Sequence, residues 1–136
     1  MSDVAIFTTR HGNPPNYIEM RDHGDGQLSV EGLGSGDSKR VLDGADVEGL
    51  CQALDEWLAT DYRIVGRVIF TSKLTYDYPY RWAEVQELDS NVLEVTAREW
   101  CGGDQPIDVA KGQLALSEAV ELHAALDRWI EERGKG

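Results

Sequence analysis

Leu50-Cys51-Gln52-Ala53-Leu54-Asp55-Glu56-Trp57-Leu58 and Leu122-His123-Ala124-Ala125-Leu126-Asp127-Arg128-Trp129-Ile130 carry the same residue at five of nine positions. A match of this kind inside one chain marks an internal duplication, which decides the architecture before any single motif is weighed. Working outward, Ala5-Ile6-Phe7-Thr8-Thr9-Arg10 matches Val68-Ile69-Phe70-Thr71-Ser72-Lys73 without a gap. Tyr17-Ile18-Glu19-Met20 matches Trp82-Ala83-Glu84-Val85, and Gly26-Gln27-Leu28-Ser29-Val30 meets Asn91-Val92-Leu93-Glu94-Val95. The offset grows along the chain through small insertions, which loops tolerate. The chain therefore reads as one domain, 1–136, made of two repeats at about 4–61 and 67–133.

Each repeat has the same order of predicted elements. Residues 4–10 and 67–73 are β-branched and aromatic, a strand composition. Residues 17–22 alternate, with Ile18 and Met20 on one face and Tyr17, Glu19 and Arg21 on the other. His23-Gly24-Asp25-Gly26 reads as a turn, and residues 27–32 resume alternation with Leu28 and Val30 inward. The second repeat follows suit with 82–88, the turn Asp89-Ser90-Asn91, and 92–99, where Leu93, Val95 and Ala97 point inward. Gly-rich loops come next, at Gly32-Leu33-Gly34-Ser35-Gly36-Asp37 and Cys101-Gly102-Gly103-Asp104, then short fourth strands at 39–43 and 107–115.

Both repeats close with an amphipathic helix. Val47, Leu50, Cys51, Leu54, Trp57 and Leu58 form one apolar stripe; Val120 or Ala119, Leu122, His123, Leu126, Trp129 and Ile130 form the other. Asp46 and Glu48 are expected in the first turn of the first helix, favoured there by its dipole. Ser117 is the expected N-cap of the second, with Glu118 and Glu121 in its opening turn. The predicted fold class is α+β: two tandem ββββα repeats, with antiparallel sheets packed against two amphipathic helices in one core. Neither repeat alone is long enough to bury much.

Composition narrows the function. In 136 residues there are 13 Lys+Arg against 25 Asp+Glu, a formal net charge of −12, which repels phosphate backbones unless the cations gather on one face. Apolar residues at 41% and charged residues at 28% are a folding mixture rather than a disordered one. No run approaches the roughly 18 apolar residues of a membrane span. The N-terminus has no basic stretch before an apolar one, so no signal peptide is expected and the reading is cytoplasmic. Cys51 and Cys101 are too few for a disulfide framework.

The layout from Tyr17 through Val30, with its Gly26-Gln27-Leu28 turn exit, then Gly34-Ser35-Gly36-Asp37-Ser38-Lys39-Arg40-Val41-Leu42 and the amphipathic helix, resembles the PUR repeat of purine-rich-element-binding proteins. The resemblance covers nearly the whole chain. It implies four antiparallel strands and a helix per repeat, two repeats intertwined in a Whirly-like domain, and single-stranded nucleic acid as ligand. Where that family places basic and Asn residues on the sheet, Asp, Glu, His and Ser mostly stand here.

Two site readings follow. In Tyr76-Asp77-Tyr78-Pro79-Tyr80-Arg81-Trp82, the aromatics Tyr76, Tyr78, Tyr80 and Trp82 have the composition of a protein-binding hot spot, stiffened by Pro79. This is the first reading: a small acidic, non-catalytic interaction protein of inhibitor or immunity type, mimicking nucleic-acid charge toward a basic protein partner. Alternatively, Tyr17 and Trp82, at equivalent sheet positions, stack bases while Arg10, Arg21, Lys39, Arg40, Lys73 and Arg98 contact phosphates. The plainer account of both rings is packing at the junction between the halves. A homodimer through Trp57 and Trp129 is a third possibility.

Catalytic chemistry finds no pattern. There is no G-x-S-x-G, H-E-x-x-H or P-loop, and His11, His23 and His123 lack metal-ligand spacing, so neither enzyme activity, metal nor cofactor is expected. His23 beside Asp22 and Asp25 reads as a solvated turn. Cys101 has no cation visibly placed to lower its pKa.

Overall fold

The structure, a computed structural model, describes residues 4–9, 18–24, 26–32, 39–74, 80–88 and 91–135, with Gly134 and Lys135 described by backbone only. Period-two alternation in the first half yields β1(Val4–Thr8), β2(Ile18–Asp22), β3(Leu28–Gly32) and β4(Arg40–Leu42), followed by α1(Gly44–Ala59). The second half yields β5(Val68–Thr71), β6(Tyr80–Glu87), β7(Leu93–Trp100), β8(Ile107–Leu114) and α2(Leu116–Lys135). Each set of four strands is an antiparallel meander in sequence order. The fold is α+β, two ββββα repeats, as the sequence predicts.

The duplication extends to single hydrogen bonds. In β1 the pairing register slips between Ala5 and Phe7; in β5 it slips at the matching place, between Val68 and Phe70. Just beyond each slip a hydroxyl residue clasps the next strand. Thr9 N donates to Ile18 O at 2.9 Å while Thr9 Oγ1 accepts from Ile18 N at 3.0 Å. Ser72 N donates to Ala83 O at 2.9 Å while Ser72 Oγ accepts from Ala83 N at 2.8 Å. Thr9 aligns with Ser72, and Ile18 with Ala83, so both repeats satisfy the same buried amides in the same way.

The two halves interlock. Each helix packs on the last strand of its own repeat and the first strand of the other: α1 on β4 and β5, α2 on β8 and β1. The sheets also meet, β8 lying against β2 and β3, and β4 against β6. One core results, with Ile18, Met20, Leu28, Val30 and Leu42 from the first sheet and Ala83, Val85, Leu93, Val95, Ala97 and Leu114 from the second. At the closest approach, a Cβ on Gly112 would lie 2.9 Å from the backbone nitrogen of Ile18. Only glycine lets β8 and β2 come that near.

Helix ends correct the sequence reading. Asp43 caps α1, and Asp46, three residues on, completes a capping box; Glu48 lies two residues further in, past the first turn. For α2 the N-cap position is Ala115, not Ser117. Ala119 N donates to Ala115 O at 2.9 Å, and Glu118 Oε1 accepts from Ala115 N at 3.1 Å. The back-bond from Glu118 starts the helix two residues before the better capping residue. Trp57 and Trp129, at 2% and 7% exposure, sit in the core, so neither ring can line a dimer surface. Among the described residues, no helix is long and apolar enough to cross a membrane.

Candidate binding groove

Arg10, Tyr17, Tyr76 and Tyr78 of the predicted sites, together with His11, Asp25 and the loop at 33–38, lie outside the described residues. Of the rest, the fold gathers Lys39, Arg40, Lys73 and Trp82 around one groove of about 890 Å³, joined by Arg81, Val41, Ser72 and Leu74. Three elements make it: β4 leading into α1, the exit of β5, and the start of β6. The register places Thr71 opposite Glu84, so Ser72 and Lys73 run past Trp82. Because β4 packs against β6, residues far apart in sequence share this edge.

Charge concentrates there. Four cations, Lys39, Arg40, Lys73 and Arg81, line it with two carboxylates, Asp43 and Asp46, a formal +2 that becomes +1 once Glu99, the partner of Arg81, is counted, on a chain of −12. The cations are not equivalent. Arg40 is only 3% exposed, its Nε donating to Arg98 O at 3.2 Å, so it supplies charge to the groove floor rather than a reaching contact. Lys39 is exposed, and the Lys73 side chain is 66% exposed although its Nζ lies 2.7 Å from Asp43 Oδ2. Arg81 pairs with Glu99 at 2.9 Å.

The aromatics form a short row on the outer face of the second sheet. Trp82 is half-buried and its Nε1 donates to Glu84 Oε1 at 3.3 Å. Tyr80 stacks on Trp100, its cross-strand partner, with ring centroids 5.9 Å apart and planes 18° from parallel. Trp82 stands opposite Arg98 in the β6–β7 register. Arg98 binds Glu84 at 3.0 Å and Asp108 at 3.1 Å, which ties its charge into that face rather than the groove. Arg21, on the other sheet, pairs with Glu19 at 2.6 Å and borders no part of the groove.

Sequence reading missed Arg81 as a phosphate-binding candidate. Arg81 and Trp82 are consecutive on a strand and fall on opposite faces, so alternation separates them; the groove crosses the strand end and takes both. Asp43 and Asp46 were missed as site residues because their type and spacing announce a helix start.

The other singled-out residues have local partners. His23 is half-buried, its Nε2 sharing a 2.8 Å hydrogen bond with Ser29 Oγ, rather than standing in a solvated turn. His123 lies 3.6 Å from Asp55 at the edge of the helix pair. Cys101 Sγ donates to Glu99 Oε2 at 3.1 Å, which holds the thiol pKa above its ordinary value despite nearby Arg81. No protein-family model matches the chain, and no curated protein matches it.

Proposed function

We propose that the chain is a non-catalytic binding protein whose groove takes single-stranded nucleic acid, phosphates on Lys39, Lys73 and Arg81 and a base on Trp82. The observation that carries this reading is the convergence of four cations and an indole on one edge of an otherwise acidic molecule. Cation-lined grooves with aromatic stacking surfaces are how single strands are held without sequence reading. The PUR-like layout points to the same ligand class. Cys51 and Cys101, neither in a disulfide, suit the cytoplasm.

The test is titration of labelled oligothymidylate and oligouridylate at about 50 and 200 mM salt, where phosphate contacts declare themselves. Three contacts give a salt slope of about −2, so affinity should drop roughly 20-fold across that range. Arg81→Ala should flatten the slope by about 0.7, whereas Arg21→Ala should leave it unchanged. Absence of saturable binding at the lower salt would refute the reading.

A second reading, the acidic inhibitor- or immunity-type protein, draws on the Tyr80–Trp100 stack beside Trp82, a hot-spot composition at a surface. It separates cleanly from the first. Lys73→Glu with Arg81→Glu should abolish strand binding but strengthen association with a basic protein partner.

A further inference from the structure

We infer that the Asp43 carboxylate, seated by Asp46, is an internal competitor for the groove's ligand, holding the Lys73 ammonium until a phosphate displaces it, given that the groove takes a phosphate strand as proposed above. Each carboxylate divides its two oxygens between two tasks. Asp43 Oδ1 accepts from Asp46 N at 2.9 Å and Asp46 Oδ2 accepts from Asp43 N at 3.4 Å, closing the capping box of α1. The remaining oxygens both reach Lys73: Asp43 Oδ2 binds its Nζ at 2.7 Å, and Asp46 Oδ1 accepts its backbone N–H at 3.3 Å. A helix cap and a groove cation are thus fastened through the same two side chains.

The second repeat shows what the cap alone requires. At the positions matching Asp43 and Asp46 it has Ala115 and Glu118, and α2 starts on a back-bond from Glu118 to the Ala115 amide. An N-cap carboxylate is therefore not needed to start a helix in this fold. In the first repeat it does something more, and the cation it reaches is one of those lining the groove. A phosphate on Lys73 must replace the Asp43 carboxylate, while the Oδ1–Asp46 bond can keep the helix capped. Entry of the ligand then leaves α1 intact.

Asp43→Asn tests this, because asparagine caps a helix about as well as aspartate and the fold should persist. Removing the competing charge keeps the three phosphate contacts but spares the one at Lys73 the cost of displacing a carboxylate. Affinity for oligothymidylate should rise severalfold at ~50 mM salt, while the salt slope stays at about −2 because the same three phosphates are neutralised. Without any nucleic acid, Lys73 should be acylated faster in Asp43→Asn than in the native protein, followed by peptide mass spectrometry. Equal or weaker strand binding by the variant, when the native protein binds, overturns the inference alone. An unchanged Lys73 acylation rate overturns it too. If neither protein binds the strand, the ligand reading falls and the competitor role falls with it.

Discussion

Trp57 on α1 donates its indole N–H to Glu87 on β6 at 2.9 Å, joining the helix of the first repeat to the sheet of the second. Glu87 is fully buried, and three of the described residues supply its donors: Trp57, Ile64, whose N reaches Oε2 at 3.2 Å, and Arg67, whose Nε lies 2.7 Å from Oε2 and whose Nη2 lies 3.3 Å from Oε1. A buried carboxylate persists only when its lone pairs are met in this way. Trp57→Phe keeps the ring and removes one donor, which should cost about 1.5–3 kcal/mol, the range for a hydrogen bond to a charged group. Arg67→Met leaves the charge poorly compensated and should cost at least as much. Urea unfolding of both variants checks this, and losses under about 0.5 kcal/mol would show that water meets Glu87 instead.

Gly112→Ala should destabilise by about 1–3 kcal/mol, because the added methyl meets Ile18 backbone and forces β8 away from β2. Gly44→Ala is the control. There the nearest atoms to the new Cβ are the guanidinium of Arg133, a flexible side chain that can shift at the cost of its exposed pair with Glu48, and alanine suits a helix better than glycine. A thermal melt in which both variants behave alike would remove Gly112 as the point that sets the sheet spacing.

Asp43 and Asp46 should titrate in a defined order. The Lys73 ammonium holds the Asp43 carboxyl below its ordinary pKa, whereas burial and then the Asp43 charge push Asp46 above it. Groups facing the pair are Lys73 beyond β5, Lys39 just before β4 and Arg40 on it, Arg81 on β6, and the Arg133–Glu48 pair between the helices. For Asp43, the stabilising contribution is complete above the unfolded pKa and is lost as pH falls through the folded one. Asp46 has the opposite sign: the folded state keeps its proton longer, so stability declines as pH rises from the unfolded to the folded pKa. Carboxyl carbon resonances followed by NMR should show Asp46 taking its proton first on acidification; the reverse order would break the account of both.

Cys101 should be alkylated more slowly than an ordinary exposed thiol. Its Sγ–H donates to Glu99, and a negative carboxylate opposes thiolate formation. Glu99→Gln removes that charge while Arg81 stays close, so the iodoacetamide rate at pH near 8 should increase severalfold. Cys51 should lag in both proteins, since burial and the neighbouring Asp127 and Asp55 raise its pKa. An unchanged Cys101 rate in Glu99→Gln would mean that exposure alone governs it.

The strands were readable because alternation is a local property. Ile18, Met20, Leu28, Val30, Leu93, Val95 and Ala97 all face inward where period-two patterning put them. Ser117 misled because propensity ranks serine above alanine as a cap, while the helix start was fixed by a side chain three residues inside. Lys39, Arg40, Lys73 and Trp82 could be nominated from residue type, but nothing in their spacing joins them.

Sequence by itself determined the duplication, the ββββα order and the apolar faces, since each rests on short-range periodicity and on likeness between two stretches of one chain. Tertiary structure alone decided that α1 would sit on β5 and α2 on β1, that Gly112 would let the sheets close, and that Arg21 and Arg98 would be held by carboxylates away from the groove. It also decided that Lys73 would meet Asp43, 30 residues earlier in the chain. Such pairings depend on how two repeats wrap around each other, and no local pattern encodes the distance between residues that only the packed core brings together.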